Sequence, residues 1–168
     1  MKKIVFLALV LISSTGWGQN PVSLEYFNKG VKKAEAGNST ESIADFTKAL
    51  KEEPFFTGAY LSRALEKIKI KDLSGAMSDA NTAITIESKN ADAFTTRANI
   101  YYKLKDYPNT IKDCTVAISL NPNDYVSYNL RGRSYKNSND VKKACNDFTK
   151  AMQLGSQSAI KNKKMFCK

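Results

Sequence analysis

The sequence predicts an all-α protein, a solenoid of stacked helical hairpins closed by a C-terminal capping helix. Three observations carry this. A 34-residue period runs without a gap through four rows; apolar and small residues recur at helical spacing within each row; and helix caps and breakers fall at fixed columns. The rows are residues 23–56, 57–90, 91–124 and 125–156, with residues 157–168 as the cap.

The first helix of each row is marked by an aromatic column 4 (Tyr26, Tyr60, Phe94, Tyr128) and a small column 8 (Gly30, Ala64, Ala98, Gly132). The second helix carries small column 20 (Ser42, Ala76, Thr110, Ala144) and column 27, which is Ala49, Ala83, Ala117 and Ala151. Column 24 (Phe46, Ala80, Cys114, Phe148) and column 28 (Leu50, Ile84, Ile118, Met152) complete that apolar face, and column 17 adds Leu73, Tyr107 and Val141. Column 16 (Asn38, Asp72, Asp106, Asp140) supplies N-caps for the second helices, and Gly37 and Asn139 before two of them accept left-handed backbone. Glu53-Pro54, Asn121-Pro122 and Leu154-Gly155 stop helices between rows. In the tail, Ala159, Ile160, Met165 and Phe166 form the apolar side of a capping helix whose outer face is Lys161, Lys163 and Lys164.

With these residues in place the chain resembles the tetratricopeptide repeat family, whose pattern has an aromatic at column 4, small residues at columns 8, 20 and 27, and often proline at column 32, here Pro54 and Pro122. The resemblance covers residues 23–156 and implies a right-handed superhelix that binds a protein or peptide partner in its concave groove. Lys33 and Lys67 at column 11, against Tyr101 and Tyr135, suggest looser packing in the first two rows.

Column 23 is aspartate in every row, Asp45, Asp79, Asp113 and Asp147, and column 7 is cationic in every row, Lys29, Arg63, Arg97 and Arg131. Charges that repeat with the fold read as a structural ladder, each cation reaching a carboxylate in its own hairpin or in the preceding one. An arginine row that binds substrate is the competing reading. Cys145 on the last second helix and Cys167 at the end of the cap lie on elements that must touch, and their pairing as a disulfide is expected. Cys114 belongs to a core column.

The family's concave face is read at columns 2, 5, 9, 12 and 13. It gives an apolar N-terminal half around Phe27, Leu61 and Leu65, with Lys69 at its edge, then a polar and basic half of Asn99, Tyr102, Lys103, Asn129, Arg133 and Lys136. Such a groove suits a peptide with a hydrophobic anchor and an acidic or carboxylate end. Packing of Phe27, Leu61 and Leu65 against neighbouring helices is the alternative. The carboxylate clamp of chaperone-binding members does not fit this register: Asn99 matches, but Thr95 and Leu130 stand where Lys and Asn belong.

Composition narrows the function. The 168 residues contain 26 Lys and Arg, 16 Asp and Glu and no His, which excludes His-based acid/base pairs, triads and metal sites. No glycine-rich phosphate loop or metal-ligand cluster is present, so no enzyme, cofactor or metal is expected. Nucleic-acid binding is also not expected, because the aromatics that could stack on bases occupy core columns. Lys2 and Lys3, the apolar run Ile4–Ile12 and the small residues up to Gly18 read as a signal peptide of residues 1–18, cleaved before Gln19 or alternatively before Trp17. The run is too short for the roughly 20 residues of a membrane span, so the mature form should carry no transmembrane segment. The expectation is an exported, non-enzymatic scaffold of a bacterial cell envelope, periplasmic or extracellular, with contact to an anionic envelope surface through the basic C-terminal end as the alternative function.

Overall fold

The computed structural model describes residues 20–167, and all regular structure among them is α-helical. The first helices of the hairpins are α1 (Pro21–Glu35), α3 (Thr57–Lys69), α5 (Ala91–Lys103) and α7 (Tyr125–Asn137). The second helices are α2 (Ser39–Glu52), α4 (Leu73–Ile86), α6 (Tyr107–Leu120) and α8 (Val141–Gln153), and α9 (Gln157–Phe166) follows. Each helix packs on the next in sequence, and successive first helices touch one another, so the hairpins stack as a solenoid with α9 against α8 and α7. The expected signal peptide and Lys168 lie outside the described residues.

Small residues let the two helices of each hairpin approach. Ala49, Ala83, Ala117 and Ala151 are fully buried, as are Ala64 and Ala98. At Gly30 and Gly132 the neighbouring ring occupies the place of a side chain: a Cβ there would stand 2.7 Å from Phe46 and 2.8 Å from Phe148. Burying each of those rings contributes roughly 1.5–3 kcal/mol. In the middle repeats column 24 is small, and the next repeat fills the space. Ile100 packs with Ala64, Ala76 and Ala80, and Leu130 packs with Ala98 and Cys114.

The hairpin turns are set by local chemistry. Asp72, Asp106 and Asp140 accept backbone N–H bonds from Gly75, Asn109 and Lys143, a cap that stabilises by about 1 kcal/mol, whereas Asn38 makes no such bond. The residue before each cap takes the left-handed conformation, at Gly37 and Asn139 as expected, and also at Lys71 (φ 66°) and Lys105 (φ 62°). Two expectations are corrected here. Val141 is 48% exposed and so lies outside the core, because it sits on the open rim of the first turn of α8. The cap buries only Ala159 completely; Ile160 and Met165 are 44% and 55% exposed, on the side of α9 turned away from α8 and α7.

Candidate functional site

The charged columns form bidentate rungs inside three hairpins. Arg63 donates Nε and Nη2 to Asp79 at 2.9 and 2.6 Å, Arg97 to Asp113 at 2.7 and 3.0 Å, and Arg131 to Asp147 at 2.8 and 2.9 Å. The remaining Nη1 crosses to the preceding repeat, where Thr47, Asn81 and Thr115 accept at 3.0, 3.0 and 3.1 Å. Each guanidinium also lies over the column 4 ring of its own helix. The aspartates are buried, and their hydrogen bonds hold the guanidinium pKa values of Arg97 and Arg131 above the usual arginine range. All three guanidinium nitrogens donate within the fold, so these arginines join repeats.

The first rung departs from this pattern. Lys29 pairs with Glu25 at 2.6 Å on its own helix, and Asp45 is held instead by Lys33 at 2.7 Å and Lys48 at 3.3 Å. Lys33 meets Asp45 Oδ2 as an ion contact whose angles fall short of a hydrogen bond, and this ammonium still draws the Asp45 carboxyl below the ordinary value. Lys67 likewise reaches Asp79 at 2.9 Å, so the column 11 lysines are members of the ladder rather than signs of loose packing.

Along the first helices runs a trough of connected hollows. The largest, about 680 Å³, lies between α3 and α5 and is floored by Leu65, Ile68 and Leu73, with Lys69, Lys71, Asn99 and Lys103 at its sides. A hollow of about 300 Å³ toward α1 shares Leu65, Glu66 and Lys69 with it. Another of about 190 Å³ toward α7 shares Leu65 and Asn99 and adds Val126, Asn129 and Arg133. Leu65, 45% exposed, therefore stands where three hollows meet.

The structure redistributes the residues expected here. Phe27 packs its ring 5.5 Å from Phe46 and 4.8 Å from Phe56, within the first core cluster, and is corrected to a packing residue; Leu61 is half-buried. Lys69 is neutralised by Glu66 at 2.6 Å. Glu66, which sequence reasoning missed, is buried in the trough, where it also accepts a 2.7 Å bond from Ser39. The available signal was its column: Ile100 and Ser134 hold the same place in the next two rows and are buried. At the C-terminal end α9 engages two of the expected groove residues and borders the hollow that holds a third. Asn129 donates to Ser158 and accepts from Asn162, Lys136 lies 4.8 Å over the Phe166 ring, and Arg133 lies 4.4 Å over Tyr102 in a hollow that Asn162 and Phe166 close. Cys145 and Cys167 are joined by a disulfide that ties the end of α9 to α8. Cys114 is buried, and burial pushes its thiol far above the ordinary range, leaving it unreactive.

Comparison with known proteins agrees with this architecture. Residues 125–154 match the tetratricopeptide repeat family. No curated protein matches the chain. Among solved structures, TTC0263, a thermophilic tetratricopeptide repeat (TPR) protein of Thermus thermophilus, is similar with a TM-score of 0.74 and 18% identity over 79% of this chain and 74% of that one. The first TPR domain of Spaghetti (RPAP3), bound to the HSP90 peptide SRMEEVD, has a TM-score of 0.68 and 23% identity over 70% of this chain and 94% of that one. YrrB, a TPR protein with an unusual peptide-binding site, has a TM-score of 0.67 and 18% identity over 86% of this chain and 75% of that one.

Proposed function

We propose that the chain, a solenoid of tetratricopeptide-like repeats, is an exported scaffold that binds an extended peptide segment of a partner protein in the trough along α3, α5 and α7. The observation that carries this reading is Leu65, a large aliphatic side chain left exposed at the junction of three hollows. An apolar side chain of the peptide sits on Leu65, Ile68 and Leu73. A carboxylate beside it meets Lys103 and Arg133, neither of which has a carboxylate partner among the described residues. Two structural neighbours are peptide binders by description, which supports the mode and leaves the partner of this chain open. Export is supported by the order of basic, apolar and small residues in the leader and by the Cys145–Cys167 disulfide, which persists in an oxidising compartment.

A displayed random-peptide library tests the reading. The wild-type chain is expected to enrich sequences that place an aliphatic or aromatic residue near an acidic one, with binding that survives moderate salt. Leu65→Asp and Arg133→Glu should each lose that enrichment with helical content unchanged. Retention of the same peptides by both variants would move binding out of the trough.

A further inference from the structure

The two edges of the solenoid differ in charge. On the edge formed by the hairpin turns, every first helix carries lysine in its last turn; Lys33, Lys67 and Lys69 are paired with Asp45, Asp79 and Glu66, and Lys32, Lys103 and Lys136 have no carboxylate partner among the described residues. On the opposite edge, where one repeat passes to the next, Glu52, Glu53, Glu87, Asp92 and Asp124 outnumber Lys51 and Lys89. The basic edge is also apolar at its middle. Ile70 and Leu104 occupy the same place in repeats two and three and are 48% and 53% exposed, whereas the outer repeats have Ala36 and Ser138 there.

The next column sharpens the contrast. The turn needs a left-handed residue, which Gly37 and Asn139 supply in the outer repeats; Lys71 and Lys105 supply it in the inner ones, where a side chain strains the backbone. Neither lysine has a carboxylate partner among the described residues, so the fold gains no ion pair from them. Asp72 and Asp106 beside them are occupied with capping Gly75 and Asn109. Adjacent turns thus present the dyads Ile70-Lys71 and Leu104-Lys105 on a protruding basic edge, at the cost of an easier turn.

We propose that this edge is a docking surface for an anionic lipid bilayer. Aliphatic tips flanked by lysines match the boundary between acyl chains and anionic headgroups, where the apolar group enters and the ammonium stays at the phosphate. Protruding turns offer a flat membrane a row of tips, whereas an extended peptide requires the concavity found in the trough. The tips Ile70, Leu104 and Lys105 lie outside the trough, whereas Lys69, Lys71 and Lys103 border both surfaces.

Sedimentation of the full chain with vesicles of phosphatidylcholine containing about a third phosphatidylglycerol tests this, against vesicles of phosphatidylcholine alone. The wild type should partition onto the anionic vesicles only. Lys71→Gly/Lys105→Gly should weaken partition about tenfold or more while melting at the same temperature or higher, because glycine suits the turn. Ile70→Ser/Leu104→Ser should weaken partition to anionic vesicles and leave retention on a soluble polyanion such as polyglutamate unchanged. Leu65→Asp, which disables the trough, should bind vesicles like the wild type. Equal vesicle binding by either double variant would overturn the proposal, and binding lost only with the lysines would make the edge a polyanion site instead.

Discussion

The inner and outer repeats solve the same packing problem in opposite ways. Repeats one and four pair glycine with phenylalanine, Gly30 with Phe46 and Gly132 with Phe148, so each hairpin fills its own centre. Repeats two and three pair alanine with a small partner, Ala64 with Ala80 and Ala98 with Cys114, and their centres are filled by Ile100 and Leu130 from the following repeat. The inner hairpins are therefore completed by their neighbours, and the terminal ones are self-sufficient. The rungs obey the same logic. An arginine can hold its own aspartate with two donors and the preceding repeat with a third, so it appears wherever a preceding repeat exists. Among the described residues no repeat packs ahead of the first, and lysines serve it.

The rungs offer the largest way to break this comparison. Arg97→Leu leaves Asp113 buried without its bidentate partner and is expected to cost about 3–5 kcal/mol, whereas Arg97→Leu/Asp113→Leu should cost less than the single change. Lys33→Leu in the first repeat leaves Asp45 with Lys48, and that rung also lacks a bond to another repeat; the expected loss is about 1 kcal/mol. Urea unfolding of these three variants and of Asp113→Leu measures all of this. Additive losses at Arg97 and Asp113 would mean the rung is not a coupled pair.

How far the sequence announced these features depended on whether a column has the same surroundings in every row. Ala49, Ala83, Ala117 and Ala151 do, and their burial was legible. The arginine rungs were legible as pairs, but the third contact to Thr47, Asn81 and Thr115 needed column 25, polar in all four rows, to be read together with column 7. Reading by column misleads where a row has different neighbours. Phe27 looked like a groove residue, yet Phe56 ends its row where Asn90 and Asp124 stand in the next two, and this extra ring draws Phe27 inward. Asn129 and Lys136 line hollows beside the first helices, but α9 belongs to no row, and its contacts with them are not periodic.

The two ends of the solenoid differ again in how they are held, and the disulfide tests that difference with the second-largest effect. Cys145 and Cys167 are 22 positions apart, and closing such a loop stabilises by about 3 kcal/mol in the chain-entropy model. In Cys145→Ser/Cys167→Ser the loss should appear as faster hydrogen exchange in α8 and α9, with α1 and α2 unchanged at the far end. Intact mass after unfolding and alkylation without reductant should report one thiol, that of Cys114. Three thiols would remove the bond from the account.

The smallest effect separates the two outer repeats from each other. Alanine in a helix interior is favoured over glycine by about 1 kcal/mol, so Gly→Ala should stabilise wherever the added methyl has room. At Gly30 the three atoms nearest the new Cβ all belong to the Phe46 ring, the first at 2.7 Å, and that side chain has room to shift against Phe27, which is only half-buried. At Gly132 the Cβ meets the Phe148 ring at 2.8 Å and also the backbone oxygen of Ala144 at 3.2 Å, which can yield only if α7 and α8 move apart. Those two helices are fixed by the Arg131–Asp147 rung, and the disulfide secures α9 against α8. Overpacking therefore outweighs the propensity gain at Gly132, with a net loss of about 1–2 kcal/mol, while Gly30→Ala should lie within about 0.5 kcal/mol of the wild type. Urea midpoints of the two variants measure the difference, and equal stabilisation of both by about 1 kcal/mol would show that the hairpins have more slack than their contacts imply.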